Sequence, residues 1–461
     1  MNKIIEGAYN CLYVGTAKGI YEINLSSEQL KSLIQTDEKG EELFVRDILP
    51  FSNNELWIGT ESGVYIYNLR QHKYSHHYNI LGDRYSLSDN AVYCLCKDKE
   101  GGVWIGTYFG GVNYLTQQYS YFKKYYPSHD SNSLHGMRIR EFCKDNKGII
   151  WIGTEDGGLN RFDPKTSQFC FFGPSKSFRN VHALCMDGDM LWVGTFAKGL
   201  KVIDTRTNKI VRSYYKGDRK NTLNENSVFA ICRTVSGNIW IGTLFGLHFY
   251  NRETDDFTRI PELEGKFIYD IKEDSHGNIW LATYANGIYK YEISRKRWKN
   301  YAYKGNQAGE IPNNKVVSIF EDSRSILWFT TQGGGFCRYN QNTDTFTTYN
   351  SNRGLPNDVV YQIIEDNDGM FWVTTNGGLV RFNPETEDMK IYTVADGLPV
   401  NQFNYRSGYK SVDGTIYLGS IEGFISFNPR DFGENKYIPP IVITDFSIFN
   451  KRAVVGEKNS P

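Results

Sequence analysis

The side chains best able to bind metal or act as nucleophiles are eight histidines, at 72, 76, 77, 129, 135, 182, 248 and 276, and eight cysteines, at 11, 94, 96, 143, 170, 185, 232 and 337. The histidines form no metal-binding helix motif, and no Cys-x-x-Cys pair is present. Neither a Gly-x-Ser-x-Gly elbow nor a phosphate-binding Gly-Lys loop occurs, and Gly333-Gly334-Gly335 reads as a turn. The acidic pairs Glu321-Asp322 and Glu365-Asp366 recur at one position of a repeat, so they read as turn and rim residues. No catalytic residue, metal ligand or cofactor is therefore expected. What remains is binding chemistry. Tyr108, Phe109, Phe196, Phe245 and Tyr284 follow a recurring Gly-Thr (Ala-Thr before Tyr284), and Arg138, Arg140, Arg179 and His182 stand in the segments leading into strands. Rings stack on the CH faces of sugars and polar groups bond their hydroxyls, while the arginines and the histidine suit an acidic glycan. The competing reading packs the same rings on neighbouring loops.

The elements that carry these residues are written in the sequence. Trp-Ile-Gly-Thr begins at Trp57, Trp104, Trp151 and Trp240, with variants beginning at Tyr13, Trp192, Trp280, Trp328, Trp372 and Tyr417. Ten copies at a period near 45 residues match the blade length of a β-propeller. Each unit reads as four strands. Val359 to Ile364 is a dense apolar inner strand, Asp366 to Gly369 a turn, Phe371 to Thr375 the second strand and Gly378 to Phe382 the third. Asp accepts backbone bonds in such turns, and Gly supplies positive φ. Cys96, Cys143, Cys185 and Cys232 precede a repeat's Trp by seven or eight residues, so they read as small buried hydrophobes rather than disulfide partners.

Composition agrees. Gly (44), Tyr (32) and Phe (28) are abundant and Pro (13) is scarce, as many short strands and tight turns require. Lys plus Arg (52) equals Asp plus Glu (52), which leaves no electrostatic footprint for nucleic acid. No signal peptide and no long apolar span is present in this chain.

Ten blades exceed an ordinary propeller. The last unit has no evident fourth strand after Gly423 to Asn428, and the seventh repeat back from Tyr417 begins at Trp151. The Tyr-rich segment 119 to 126 is thus expected to pair with the last blade. The expected architecture is all-β: residues 1–118 as three blades of an incomplete propeller, and 119–435 as a seven-bladed propeller closed by strand 119–126. A single ten-bladed ring is the rival arrangement.

Leu355-Pro356-Asn357-Asp358, Glu365-Asp366-Asn367-Asp368-Gly369 and Trp372 to Leu379 resemble the two-component regulator propeller repeat. Asp396-Gly397-Leu398-Pro399, Asn401 to Asn404, Gly423 to Pro429 and Pro439 to Phe446 resemble its last blade passing into a Tyr-rich immunoglobulin-like domain, here 436–461. The arrangement is similar to the sensor ectodomain of bacterial hybrid two-component systems. That resemblance implies a periplasmic, non-enzymatic domain of an inner-membrane protein. It would sense oligosaccharides from polysaccharide breakdown and signal, as a homodimer, to a histidine kinase outside this chain. Contact with the membrane would come only through a later segment. A protein-binding scaffold and a propeller lyase or glycosidase are the alternatives.

Overall fold

In the computed structural model, residues 2–7, 10–83, 85–115, 121–128, 132–173, 178–305, 307–432, 447–448 and 451–452 are described. The expected immunoglobulin-like segment 436–461 lies almost wholly outside them. Strands make up nearly all regular structure, and the only helices described are four 3-10 turns. The fold is all-β and propeller-like. The chain divides into two compact units, residues 1–78, 87–118 and 432–461 in the first, and 79–86 and 119–431 in the second.

Besides the two-stranded pair Ser447–Ile448 and Lys451–Arg452, the first unit holds, among the described residues, two four-stranded sheets and one three-stranded sheet. Their inner strands are Lys3–Glu6, Val45–Ser52 and Val92–Lys97. Asp47 ties them together by pairing with Lys3 at 2.8 Å and accepting the Leu95 amide at 2.8 Å. The third sheet packs one face through Val92, Leu95, Val103 and Ile105 and bares the other, where Trp104 is 45% exposed. Cys94 and Cys96 lie exposed, which corrects the buried reading of Cys96: among the described residues no sheet covers that face.

The second unit holds seven four-stranded antiparallel sheets. Their inner strands are Ile139–Lys144, Val181–Asp187, Val228–Arg233, Ile268–Glu273, Val316–Glu321, Val360–Glu365 and Phe403–Lys410. Each lies beside the next, and Phe403–Lys410 lies beside both Val360–Glu365 and Ile139–Lys144. The outer strand of the last sheet is Lys123–Tyr125, paired antiparallel with Gly423–Phe427 in the register Lys124↔Ile425. Tyr125 stacks on Phe424 with centroids 4.4 Å apart, and the Phe122 ring stands 5.2 Å from that of Phe427. Residues 79–86 belong with this unit: Tyr126 donates to Asp83 at 2.5 Å, and Lys124 lies over the Tyr85 ring.

Cores form between consecutive sheets. Trp192 and Val202 of one meet Val228, Ile239 and Ile241 of the next, and Trp280 meets Val316, Leu327 and Phe329 in the same way. A turn aspartate six residues before the Trp holds many of these indoles. Asp145, Asp274, Asp322 and Asp366 accept from Trp151, Trp280, Trp328 and Trp372 at 2.7–3.0 Å. One oxygen of each serves the turn amides, and the other takes the indole.

Candidate functional site

Every inner strand of the second unit carries a bulge near its start. The pairing skips Arg140, His182, Phe229, Tyr269, Val317 and Tyr361, each left without a partner on the second strand. In the last strand the bulge is larger, with Asn404 to Ser407 set against Gly419 alone. A bulge kinks its strand and re-aims a side chain. Here it gathers residues from different sheets into one cluster.

The cluster has an aromatic wall. His182 lies 4.4 Å from Phe229, which lies 4.5 Å from Phe267 and 5.9 Å from Tyr269. Tyr269 reaches Tyr284 at 5.8 Å and Tyr405 at 5.5 Å, and Tyr405 meets Tyr361 edge-on at 4.8 Å. Phe196 joins at the rim, half-exposed, beside His182. The Arg140 guanidinium lies over the rings of both Tyr269 and Tyr405, 5.1 and 5.0 Å from their centroids.

Arg406 crosses this cluster. Its backbone is left-handed, φ 51°, a conformation costing a non-glycine residue about 1–3 kcal/mol. The guanidinium then donates to the carbonyls of Phe229 at 3.0 Å and Tyr269 at 3.3 Å, in two other sheets. It also pairs with Asp270 at 3.1 Å and Glu141 at 3.3 Å. Charge-assisted contacts of this kind offset the backbone strain.

The acids differ. Asp270 accepts the amides of Ile271 and Ile319, both at 2.8 Å. Glu141 Oε2 makes no hydrogen bond, and burial lifts its carboxyl to about 7 against the pull of Arg406, with Asp270 adding to the rise and Arg140 opposing it. Burial also holds His182 well below the ordinary imidazole value, reinforced by Arg140 and Arg406, so it stays neutral. Arg140 Nε, His182 Nδ1, Asn180 Oδ1, Asn404 Nδ2 and Ser407 Oγ are buried without hydrogen-bond partners. Orphaned polar atoms are costly, and five of them in one cluster leave hydrogen-bonding capacity there for a ligand or water.

The loops around this mouth are bonded in pairs. The residue after each Gly-Thr or its equivalent donates its amide to the segment before the inner strand: Glu155 to Arg138, Phe196 to Asn180, Tyr284 to Phe267 and Gln332 to Lys315, at 2.9–3.1 Å. Of the residues singled out in sequence, Arg140, His182, Phe196 and Tyr284 are thus brought together. Arg138, Arg179 and Phe245 are exposed on these loops, outside the connected rings. Tyr108 and Phe109 lie in the first unit, where Tyr108 stacks on Tyr93 and meets Phe109 edge-on, with Phe109 87% exposed. Arg406, Glu141, Tyr269 and Tyr405 were missed. The available signal was a count: Phe403 precedes Tyr417 by fourteen positions where Val360 precedes Trp372 by twelve. A cleft of about 1070 Å³ beside Asn221, Asn251 and Asp256 is less suited to ligand, because these polar groups already bond one another.

Comparison with known proteins follows the same geometry. The two component regulator propeller family matches residues 86–109, 133–156, 222–245, 262–285, 310–333 and 354–377. Each match runs from the leading loop through the inner strand and ends two residues past the second strand's closing Thr. The chain carries these repeats in both units. It is 28% identical over 288 residues to histidine kinase P4 of Formosa agariphila, an alignment covering 60% of this chain and 21% of that protein. The solved extracellular domain of the hybrid two component system BT4673 of B. thetaiotaomicron is similar with a TM-score of 0.57 and 20% identity, over 98% of this chain and 61% of that one. Streptogramin B lyase matches 68% of this chain and 99% of its own with a TM-score of 0.53 and 14% identity. This chain therefore spans about a fifth of the curated relative and three fifths of the BT4673 domain.

Proposed function

We propose that this chain, built of two component regulator propeller repeats, is part of the periplasmic ligand-sensing ectodomain of a hybrid two component regulator. On this reading the second unit is a closed seven-bladed propeller, and the three sheets of the first belong to another propeller. The ligand is an oligosaccharide released by polysaccharide breakdown, and it is bound without turnover. The signal passes, in a homodimer, to a kinase outside this chain. One observation carries the reading: the bulged inner strands gather Phe229, Tyr269, Tyr361 and Tyr405 around buried polar atoms that lack partners. That combination of ring faces and free hydrogen-bonding groups suits pyranose rings. Binding shifts the output only by the ligand's differential affinity for the two signalling states.

The test is calorimetry of the full chain against a panel of plant and algal oligosaccharides, with each mixture then analysed for products. Micromolar binding without product is the expected result. Product formation would replace the sensor by an enzyme. A protein partner bound in the absence of any sugar affinity would replace it by a scaffold.

A further inference from the structure

The mouth holds more charge than binding a neutral sugar needs. Two guanidiniums, Arg140 and Arg406, face three carboxylates there: Asp270, Glu155 and Glu141. Asp270 is fixed by two amides as well as by Arg406. Glu155, partly exposed, lies 3.5 Å from Arg140. Glu141 is the loosely held member, its Oε2 near Arg406 but without a hydrogen bond. Arg140, 2% exposed, keeps its Nε unpartnered while its guanidinium spans the Tyr269 and Tyr405 rings.

We propose that the mouth selects an oligosaccharide bearing a carboxylate, which takes the place of Glu141 at Arg406 and also reaches Arg140, as Glu141 takes up a proton from solvent. This rests on the sensing role proposed above and adds to it the ligand's charge and a linked proton. The exchange conserves charge: one carboxylate arrives, and one becomes a neutral carboxyl that can donate a hydrogen bond. The groups facing Glu141 are Arg406, Arg140 and Asp270, with the Cys143 and Cys185 thiols and the imidazole of His182 nearby. Burial keeps both thiols protonated and the imidazole neutral near pH 7, so none of these supplies or takes the proton. Glu141, lifted by burial to about 7, is half-protonated there and can. Tyr284, Tyr405 and the rim ring of Phe196 give the sugar its stacking faces.

The experiment is titration of the full chain with a tetrasaccharide of galacturonic acid and with cellotetraose, in two buffers of different ionisation heat. The acidic sugar is expected to bind at least about tenfold more tightly. Its heat should report uptake of about half a proton at neutral pH, and its affinity should fall several-fold from about pH 6 to about pH 8. Glu141→Gln, which mimics the protonated carboxyl, should lose both the buffer dependence and the fall in affinity between about pH 6 and about pH 8. Cellotetraose binding as well as the acidic sugar, or equal heats in both buffers with the unaltered chain, overturns the proposal and leaves the sensing role standing. Failure of every oligosaccharide in the wider panel overturns both.

Discussion

Single residues divide between holding the sheets and furnishing the mouth, and among those that hold the sheets hydrogen-bond partnership differs. The Trp151 indole donates to Asp145, whose other oxygen serves the turn amides of Lys147 and Ile149. Trp192 is equally buried, but its indole nitrogen has no partner, because Met186 stands where the aspartate would be. Trp151→Phe should therefore cost about 1–3 kcal/mol more than Trp192→Phe, since only the former strands a buried carboxylate oxygen. Urea unfolding of the two variants checks this, and equal losses would sink it. Glu141 makes a second prediction. Its folded value of about 7 lies above the ordinary 4.5, so the folded state binds the proton more tightly. That contribution to stability is full below about pH 4.5 and is lost as pH rises through about 7. Thermal unfolding of Glu141→Gln should thus gain on the parent between about pH 5 and about pH 8, and a constant difference would show that Glu141 is not lifted.

Elements were legible where one residue type repeats for one physical reason. The Trp phrase marks a second strand because that strand is buried on both faces, and Gly378, at φ 130°, packs where a Cβ would meet the Tyr392 carbonyl at 2.5 Å. The aspartate six residues ahead of the Trp was equally visible, but its role toward the indole was not, because its turn role alone explained it. The mouth was half legible. Arg140 and His182 stand out as polar residues in apolar strands, yet which residue a bulge re-aims depends on register with the neighbouring strand, which no single-strand pattern encodes. Arg406 acts through carbonyls 177 and 137 residues away in sequence, a relation only the assembled sheets create. The strand Lys123–Tyr125 permits a direct test of how the last sheet is completed. Tyr125→Pro removes an amide from its ladder with Gly423–Phe427 and the ring stacked on Phe424. Amides of Gly423–Phe427 should then exchange at least about tenfold faster while those of Phe371–Thr375 keep their protection. Uniformly faster exchange would mean global rather than local loosening.

At the scale of the molecule, each unit has its own cores, and their completeness differs. In the second, every inner strand has a neighbour on both sides, and the outermost position of the last sheet is filled from residues 123–125. In the first, the third sheet ends in a bare face with Trp104 and Val112 exposed, where the equivalent Trp151 is fully buried. Burying a side chain of this size contributes about 2–3 kcal/mol, so independent stability should reside in the second unit. A fragment of residues 79–432 retains Asp83, Tyr85 and their contacts with Tyr126 and Lys124. It is expected to unfold in one cooperative transition with near-UV signals like those of the whole chain. Residues 119–432, lacking that strap, should still fold but melt lower by a few degrees, the loss of one charged hydrogen bond and one cation–π contact worth about 1–3 kcal/mol. Because the mouth residues all lie between Arg140 and Arg406, the shorter fragment should also keep the sugar affinity of the full chain. A fragment that folds but binds nothing would place the ligand elsewhere, and one that fails to fold would show that the seven sheets need the first unit for stability.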